Sequence, residues 1–349
     1  MSKDSPHIPV VESWLALRRE EPLFPQLPIV DAHHHLWDRP GQRYLFAELL
    51  DDANQGHNVL ATVFIQSRSM YNSDEADPSL RPIGEVEFAN GIAAQSASGV
   101  YSRLRACAGI IGFCDLMQPE RAEAILDRLV AAGGGRFRGV RNQTAWHEDA
   151  AISSNPIPPV KGLLLEEKFR TSASLLGQRG FTLDVWVYHT QLDEVYALAR
   201  HCPDTMIILD HLGGPLGVGP YAGRREEVFA EWAASMTQIA NLPNVFVKLG
   251  GLAMRVGGFE FHSEPVPPSS ELLAKAWAPY FERVIELFGP KRCMFESNFP
   301  VDKGMVSYGV LWNAFKRMTQ SYSEAERLDL FFTTAARVYA LPVQPEDQH

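Results

Sequence analysis

What this sequence lacks sets the first limits on it. No stretch of about 18 uninterrupted apolar residues occurs, so no membrane-spanning helix is expected. Residues 1–28 hold acidic residues and prolines but no apolar core of the kind a signal peptide needs. No basic run exceeds a few residues, and the formal net charge is -10 with a pI near 5.6; nucleic acid and anionic membrane are thereby excluded as general partners. The four cysteines, Cys107, Cys114, Cys202 and Cys293, form no C-x-x-C pair, and three of them lie inside apolar runs. That excludes a disulfide framework or a cysteine-built zinc cluster and leaves buried small hydrophobes in a reducing compartment. A soluble, cytoplasmic protein is expected. Internal repeats, low-complexity tracts and linkers are missing too, so 1–349 reads as one domain with an extended N-terminal arm over 1–27.

What is present is a regular alternation. Short runs rich in Val, Ile and Phe fall at 29–34, 60–66, 107–113, 137–141, 181–187, 205–210, 244–249 and 292–296. Between them lie amphipathic segments at 83–98, 119–132, 166–179, 191–201, 224–240 and 270–288, and a closing helix is expected over 323–340. Near-continuous apolar strands alternating with helices mean a parallel sheet covered on its outer face, and eight such units close into a TIM-like (β/α)8 barrel. An open doubly wound sheet would carry a glycine-rich phosphate loop after its first strand, and here that position carries histidines. Two connections, 213–223 and 250–269, are long, rich in Gly and Pro, and leave the strand ends where barrel enzymes keep their chemistry. They are read as lids, the second carrying Arg255 and His262 towards the pocket.

The stretch Ile29-Val30-Asp31-Ala32-His33-His34-His35-Leu36-Trp37-Asp38 is the centre of the design. On a strand, His33 and His35 share one face and His34 takes the other, so two imidazoles meet one target, a metal ion or a polarised oxygen. The remaining strand ends supply Gln66 and Arg68, Arg141, Tyr188 and His189, Asp210 and His211, Lys248, and Glu296 with Asn298. On a barrel these converge on one mouth. His211 is the third imidazole. Arg68, Arg141 and Lys248 are cations suited to an anionic small-molecule substrate, because guanidinium groups hold carboxylates bidentately. Ion pairs with Asp184, Asp210 or Glu296 are the competing role for them, and Tyr188 and Gln66 complete the substrate-binding set.

Val-Asp-Ala-His-x-His-Leu-Trp-Asp at the first strand, Leu-Asp-His-Leu-Gly-Gly-Pro at the sixth, Val-Lys-Leu-Gly-Gly-Leu at the seventh and Met-Phe-Glu-Ser-Asn-Phe-Pro-Val-Asp at the eighth resemble the amidohydrolase-2 branch of the amidohydrolase superfamily. The resemblance is strongest to its lactonase group, which includes 2-pyrone-4,6-dicarboxylate lactonase and L-fuconolactone hydrolase, and runs from about Pro28 to Leu341. It implies hydrolysis of a lactone or similar ester, with His33, His35 and His211 around the reacting carbonyl. One divalent metal, zinc or similar, is held there or absent, since the group contains members of both kinds. One departure stands out: where the family resembles Gly-Ser-Asp-Trp-Pro, this chain has Glu296-Ser297-Asn298-Phe299-Pro300, so an amide replaces the aspartate that helps activate water. Glu296, two residues before it on the same face, is the replacement base expected, with Asp302 its rival. A non-oxidative decarboxylase or hydratase, which needs no water nucleophile, is the alternative, and a binding barrel without catalysis is the third reading. A homo-oligomer is compatible with all three.

Overall fold

The computed structural model describes residues 6–345; the first five residues of the expected arm lie outside the described residues. The strands in chain order are β1 Pro28–His34, β2 Trp37–Arg39, β3 Gln42–Tyr44, β4 Asn58–Ile65, β5 Arg105–Gly112, β6 Phe137–Gln143, β7 Thr182–Trp186, β8 Ile207–Leu209, β9 Val245–Leu249 and β10 Cys293–Phe295. Eight of them form one parallel sheet in the order β1-β4-β5-β6-β7-β8-β9-β10, and β2 and β3 form a separate antiparallel hairpin. The sheet curls until its ends meet: beyond β10, Phe299 bridges to His34, its carbonyl accepts the His35 N–H at 2.7 Å, and the Asn298 N–H donates to the His33 carbonyl at 2.9 Å. Helices at Ile83–Ala97, Pro119–Ala132, Glu167–Gln178, Leu192–His201, Arg225–Ile239 and Ser270–Phe288 cover the outside where the amphipathic pattern places them. The fold is the (β/α)8 barrel that the alternation of runs implies.

Several short elements differ from the expectation. The arm includes one helical turn, Glu12–Leu15, and a helix Phe46–Ala53 follows the hairpin. A further helix, Tyr308–Met318, adds to the expected set; its polar residues Asn313 and Lys316 are buried because they bond to the arm at Glu20, Glu21 and Phe24. The closing helix is real but passes through a π turn at Asp329–Thr333 between Glu324–Leu328 and Thr334–Val338. Among the described residues, no helix is long and apolar enough to cross a membrane.

The barrel interior is layered. Val30, Ala32, Ile208, Phe246 and Met294 pack against Val338, Tyr339, Leu341 and Val343 of the C-terminal segment, which plugs the bottom. Strand alternation carries each inward apolar residue to a polar one two positions on: Ile208 to Asp210, Phe246 to Lys248, Met294 to Glu296. The first strand breaks that rule where it bears on the site. Strict alternation from Val30 and Ala32 would bring His34 inward, but the β1–β4 register shifts between Asp31 and His34. This bulge reverses the phase. His33 and His35 therefore face the mouth, while His34 packs outward with its Nε2 2.8 Å from Thr62 Oγ1 and its ring against Phe64.

Candidate active site

All site side chains come from the upper ends of the strands, and all are buried: His33, His35, Arg141, His211, Lys248, Glu296 and Asn298 are each less than 5% exposed. Glu296 lies between two imidazoles. Its Oε1 accepts from His211 Nδ1 at 2.6 Å and from the His211 N–H at 3.1 Å, and its Oε2 lies 2.9 Å from His33 Nδ1. Burial alone would raise the Glu296 pKa, but His211 and His33 outweigh it and hold the carboxyl down at about 2. Burial, reinforced by the Lys248 charge, keeps His33 neutral, well below the ordinary histidine range. Since Glu296 Oε2 and Asp210 Oδ1, the latter at 3.5 Å, both face His33 Nδ1, the ring proton belongs on that nitrogen.

His35 is fixed from its other side: Nδ1 donates to the Ile65 carbonyl at 2.8 Å. Its Nε2 is then a bare acceptor 3.2 Å from the equally bare His33 Nε2. Two lone pairs facing each other at that distance call for a proton or a cation beside them. The ligand atoms of His33, His211 and Glu296 converge within 4.8 Å. Sequence reasoning grouped the three histidines as metal ligands; the structure brings Glu296 into that group and stands His35 next to it.

Beneath the histidines lies a charged layer. Lys248 Nζ sits 2.6 Å from Asp184 Oδ2, 3.1 Å from Asp210 Oδ1 and 3.3 Å from His33 Nδ1. Burial opposes its charge, yet Asp184 and Asp210 raise its pKa above the ordinary lysine value. Tyr339 closes this layer from below, donating to Asp184 Oδ2 at 2.8 Å. Lys248, expected at the substrate, is therefore a buried counter-ion under His33. Arg141 is also engaged: it donates to the Gln66 carbonyl, its Nη1 lies 3.4 Å from His33 Nε2, and Asp210 is 3.9 Å away. The three carboxylates Asp184, Asp210 and Glu296 face two permanent cations, Lys248 and Arg141, and both Asp210 oxygens, though near those cations, are buried without a hydrogen bond among the described residues. An excess of buried negative charge with orphaned oxygens is what a divalent cation would satisfy.

The other expected residues fall around this centre. Asn298 donates through Nδ2 to Asp302 Oδ1 at 2.8 Å, and burial pushes the Asp302 carboxyl well above its ordinary range. Gln66 donates to the Tyr71 hydroxyl at 3.1 Å. Tyr188 turns its hydroxyl to Ser154, accepting the Ser154 N–H at 3.0 Å. Arg68 is part-buried at the mouth with its Nη1 unpartnered. The 250–269 connection does cover the mouth, but through Met254 and Val256, which pack with Trp37, Trp186 and Tyr188; Arg255 is exposed, and the 260s contact the arm, where Trp14 Nε1 donates to the Glu264 carbonyl at 2.9 Å. Sequence reasoning missed Trp37, Trp186 and Arg39. Trp37 and Arg39 belong to the hairpin just after the histidines, and Trp186 meets the His211 ring edge-on at 4.8 Å.

Backbone strain marks the same places. His211 and Leu212 have φ values of 54 and 57, Asn298 54 and Arg68 60, left-handed conformations that a non-glycine residue holds only when its surroundings impose it. Gly251, with φ 74, makes room for one of them, since a Cβ there would stand 2.5 Å from His211 Cβ and 2.7 Å from its Nδ1. Gly251→Ala is expected to displace the imidazole and lower kcat by about 10-fold or more, because misplacements near 1 Å reach about 100-fold. Steady-state kinetics beside a melting curve checks this; an unchanged kcat would mean the loop gives way instead.

The comparisons agree with this geometry. A family model described as amidohydrolase matches residues 30–341. An uncharacterized protein of Sinorhizobium fredii is 30% identical over 335 residues, covering 90% of this chain and 98% of its own. An L-fucono-1,5-lactonase of Burkholderia multivorans is 28% identical, covering 91% and 97%. A crystal structure of a Burkholderia multivorans amidohydrolase with bound zinc superposes with a TM-score of 0.70 at 25% identity, covering 90% and 99%. With the match running from the first barrel strand to beyond the closing helix, the chain belongs to the amidohydrolase family.

Proposed function

We propose that this protein hydrolyses the ring ester of a small lactone bearing a carboxylate. The observation that carries the reading is the buried cluster of His33, His211 and Glu296 with the bare Nε2 of His35 beside it, at the mouth of a barrel. The lactonases among the relatives support the bond class. His33 and His211 would hold one divalent metal ion such as zinc through the ring nitrogens that Glu296 leaves free, and such an ion would supply Lewis acidity towards the lactone carbonyl. Arg141 Nη1, next to His33 Nε2, is the donor for charge that develops on the carbonyl oxygen. His35 is neutral because of burial and fixed by Ile65, so its Nε2 can take the proton of the attacking water. The water oxygen bonds to the carbonyl carbon, the ring C–O bond breaks, and the proton passes to the departing alkoxide.

Asn298 keeps a second reading in view, because a lyase needs no base for water. One assay separates them. Incubation with carboxylated lactones should release one proton per turnover and no carbon dioxide, followed by pH-stat and headspace analysis. Gas evolution from carboxylated substrates without ring opening would assign a decarboxylase. Dialysis against a chelator should abolish turnover, and zinc should restore it, if the cluster holds an ion.

A further inference from the structure

The strand that leaves the barrel beside His35 is gripped at three successive carbonyls. Ile65 accepts from His35 Nδ1, Gln66 from Arg141, and Ser67 from Arg39 Nη2 at 2.6 Å. Carbonyls two residues apart on an extended chain are separated by about 7 Å, so Arg39 stands one small-molecule length from His35. From behind, Glu85 braces this strap, its Oε1 accepting the Ser67 and Ser69 N–H groups at 2.9 Å each. The Trp37 indole links the two ends: the Arg39 guanidinium lies 4.2 Å over its ring, and the His35 ring stacks 5.7 Å from it.

Arg68 follows on the strap. It and Arg39 are part-buried, and among the described residues neither has a carboxylate at ion-pair distance. Arg68 Nη1 is buried with no hydrogen-bond partner, on a backbone held at φ 60. The two cations lie close enough to depress the Arg39 pKa, after burial and against the pull of Glu85. Glu85 attracts both guanidiniums from behind the strap, but its Oε1 is taken by the Ser67 and Ser69 N–H groups, and Arg68 Nη1 remains a buried donor that an anion in the pocket would satisfy. Arg141 does not play that part, since its guanidinium is engaged with Gln66, His33 and Asp210.

We infer that Arg39 and Arg68 form the anion subsite of the pocket, over the Trp37 platform, and set its preference for lactones that carry a carboxylate away from the ring ester. This rests on the lactonase reading for the bond broken, but not for the anion held. The test compares a γ-lactone carboxylate with its own methyl ester. Arg68→Met removes no hydrogen bond recorded in the structure, so its melting temperature should match the wild type, and it should lower the acid-to-ester ratio of kcat/KM by about 10–100-fold, the scale of one charged hydrogen-bonded contact. Arg39→Met should do the same, and Arg39→Lys should recover part of the loss. Equal losses on acid and ester would overturn the inference, reducing both residues to props for the strap. Calorimetry with the ring-opened dicarboxylate is the arm independent of turnover. If no lactone is hydrolysed but the dicarboxylate binds wild type at least 10-fold more tightly than Arg68→Met, the subsite stands and the lactonase reading fails. Equal binding by both, or none by the wild type, overturns the subsite.

Discussion

His33→Ala is expected to lower kcat/KM by roughly 1000-fold or more, the scale seen when one member of a coupled catalytic set is removed, and to abolish metal retention with it. His33 has neighbours in every part of the site: Glu296, Asp210 and Lys248 around Nδ1, His35 and Arg141 around Nε2. His35→Ala should lose a comparable factor for a different reason. It stands outside the converging His33, His211 and Glu296 set, so the variant should retain its metal while losing the proton carrier. Elemental analysis of both purified variants beside their kinetics separates the roles. Near wild-type turnover by either variant would return the histidines to packing, and metal loss in both would make His35 a ligand.

The sequence made the barrel legible because each strand is a short apolar run and each covering helix shows one stripe. It also located His33, His35 and His211, since strand ends of a parallel barrel share a mouth. Depth was what it could not supply. Lys248 is an inward residue like Glu296, but it lies in the layer below, where two aspartates and Tyr339 surround it. A cation at a strand end therefore reads the same whether it faces ligand or counter-ion. Direction was the second gap: Tyr188 has the right position, yet its ring joins the apolar cover and its hydroxyl meets Ser154. Arg39 was invisible for a third reason, because strands of three residues carry no periodicity. Even the placing of the histidines owes something to the bulge after Asp31, without which alternation from the apolar residues of the same strand would have turned His34 inward.

Glu296→Gln should be the most informative single change at the departure from the family pattern. Two residues before Asn298, Glu296 shares its face, and sequence reasoning alone makes it the replacement base. The geometry argues for a different task. A carboxylate held down by two imidazoles is a poor proton acceptor, but as an acceptor-only group it obliges both His33 and His211 to carry their protons on Nδ1, leaving both Nε2 atoms bare towards the mouth. A glutamine keeps the shape and loses that symmetry. Its carbonyl can still accept from His211, while its NH2 must donate to His33 Nδ1 and drive that ring to the opposite tautomer. The comparable carboxylate-to-amide change in a serine protease triad lowers kcat about 10,000-fold through the wrong tautomer, and a loss of roughly 1000-fold or more is expected here. Asn298→Asp in the same background should not restore it, because the new carboxylate would sit beside Asp302, not between the imidazoles. If Glu296→Gln instead keeps kcat within about 10-fold of the wild type, the carboxylate does not set the tautomers. Asp302, whose carboxyl burial pushes well above its ordinary range, then becomes the group to change next.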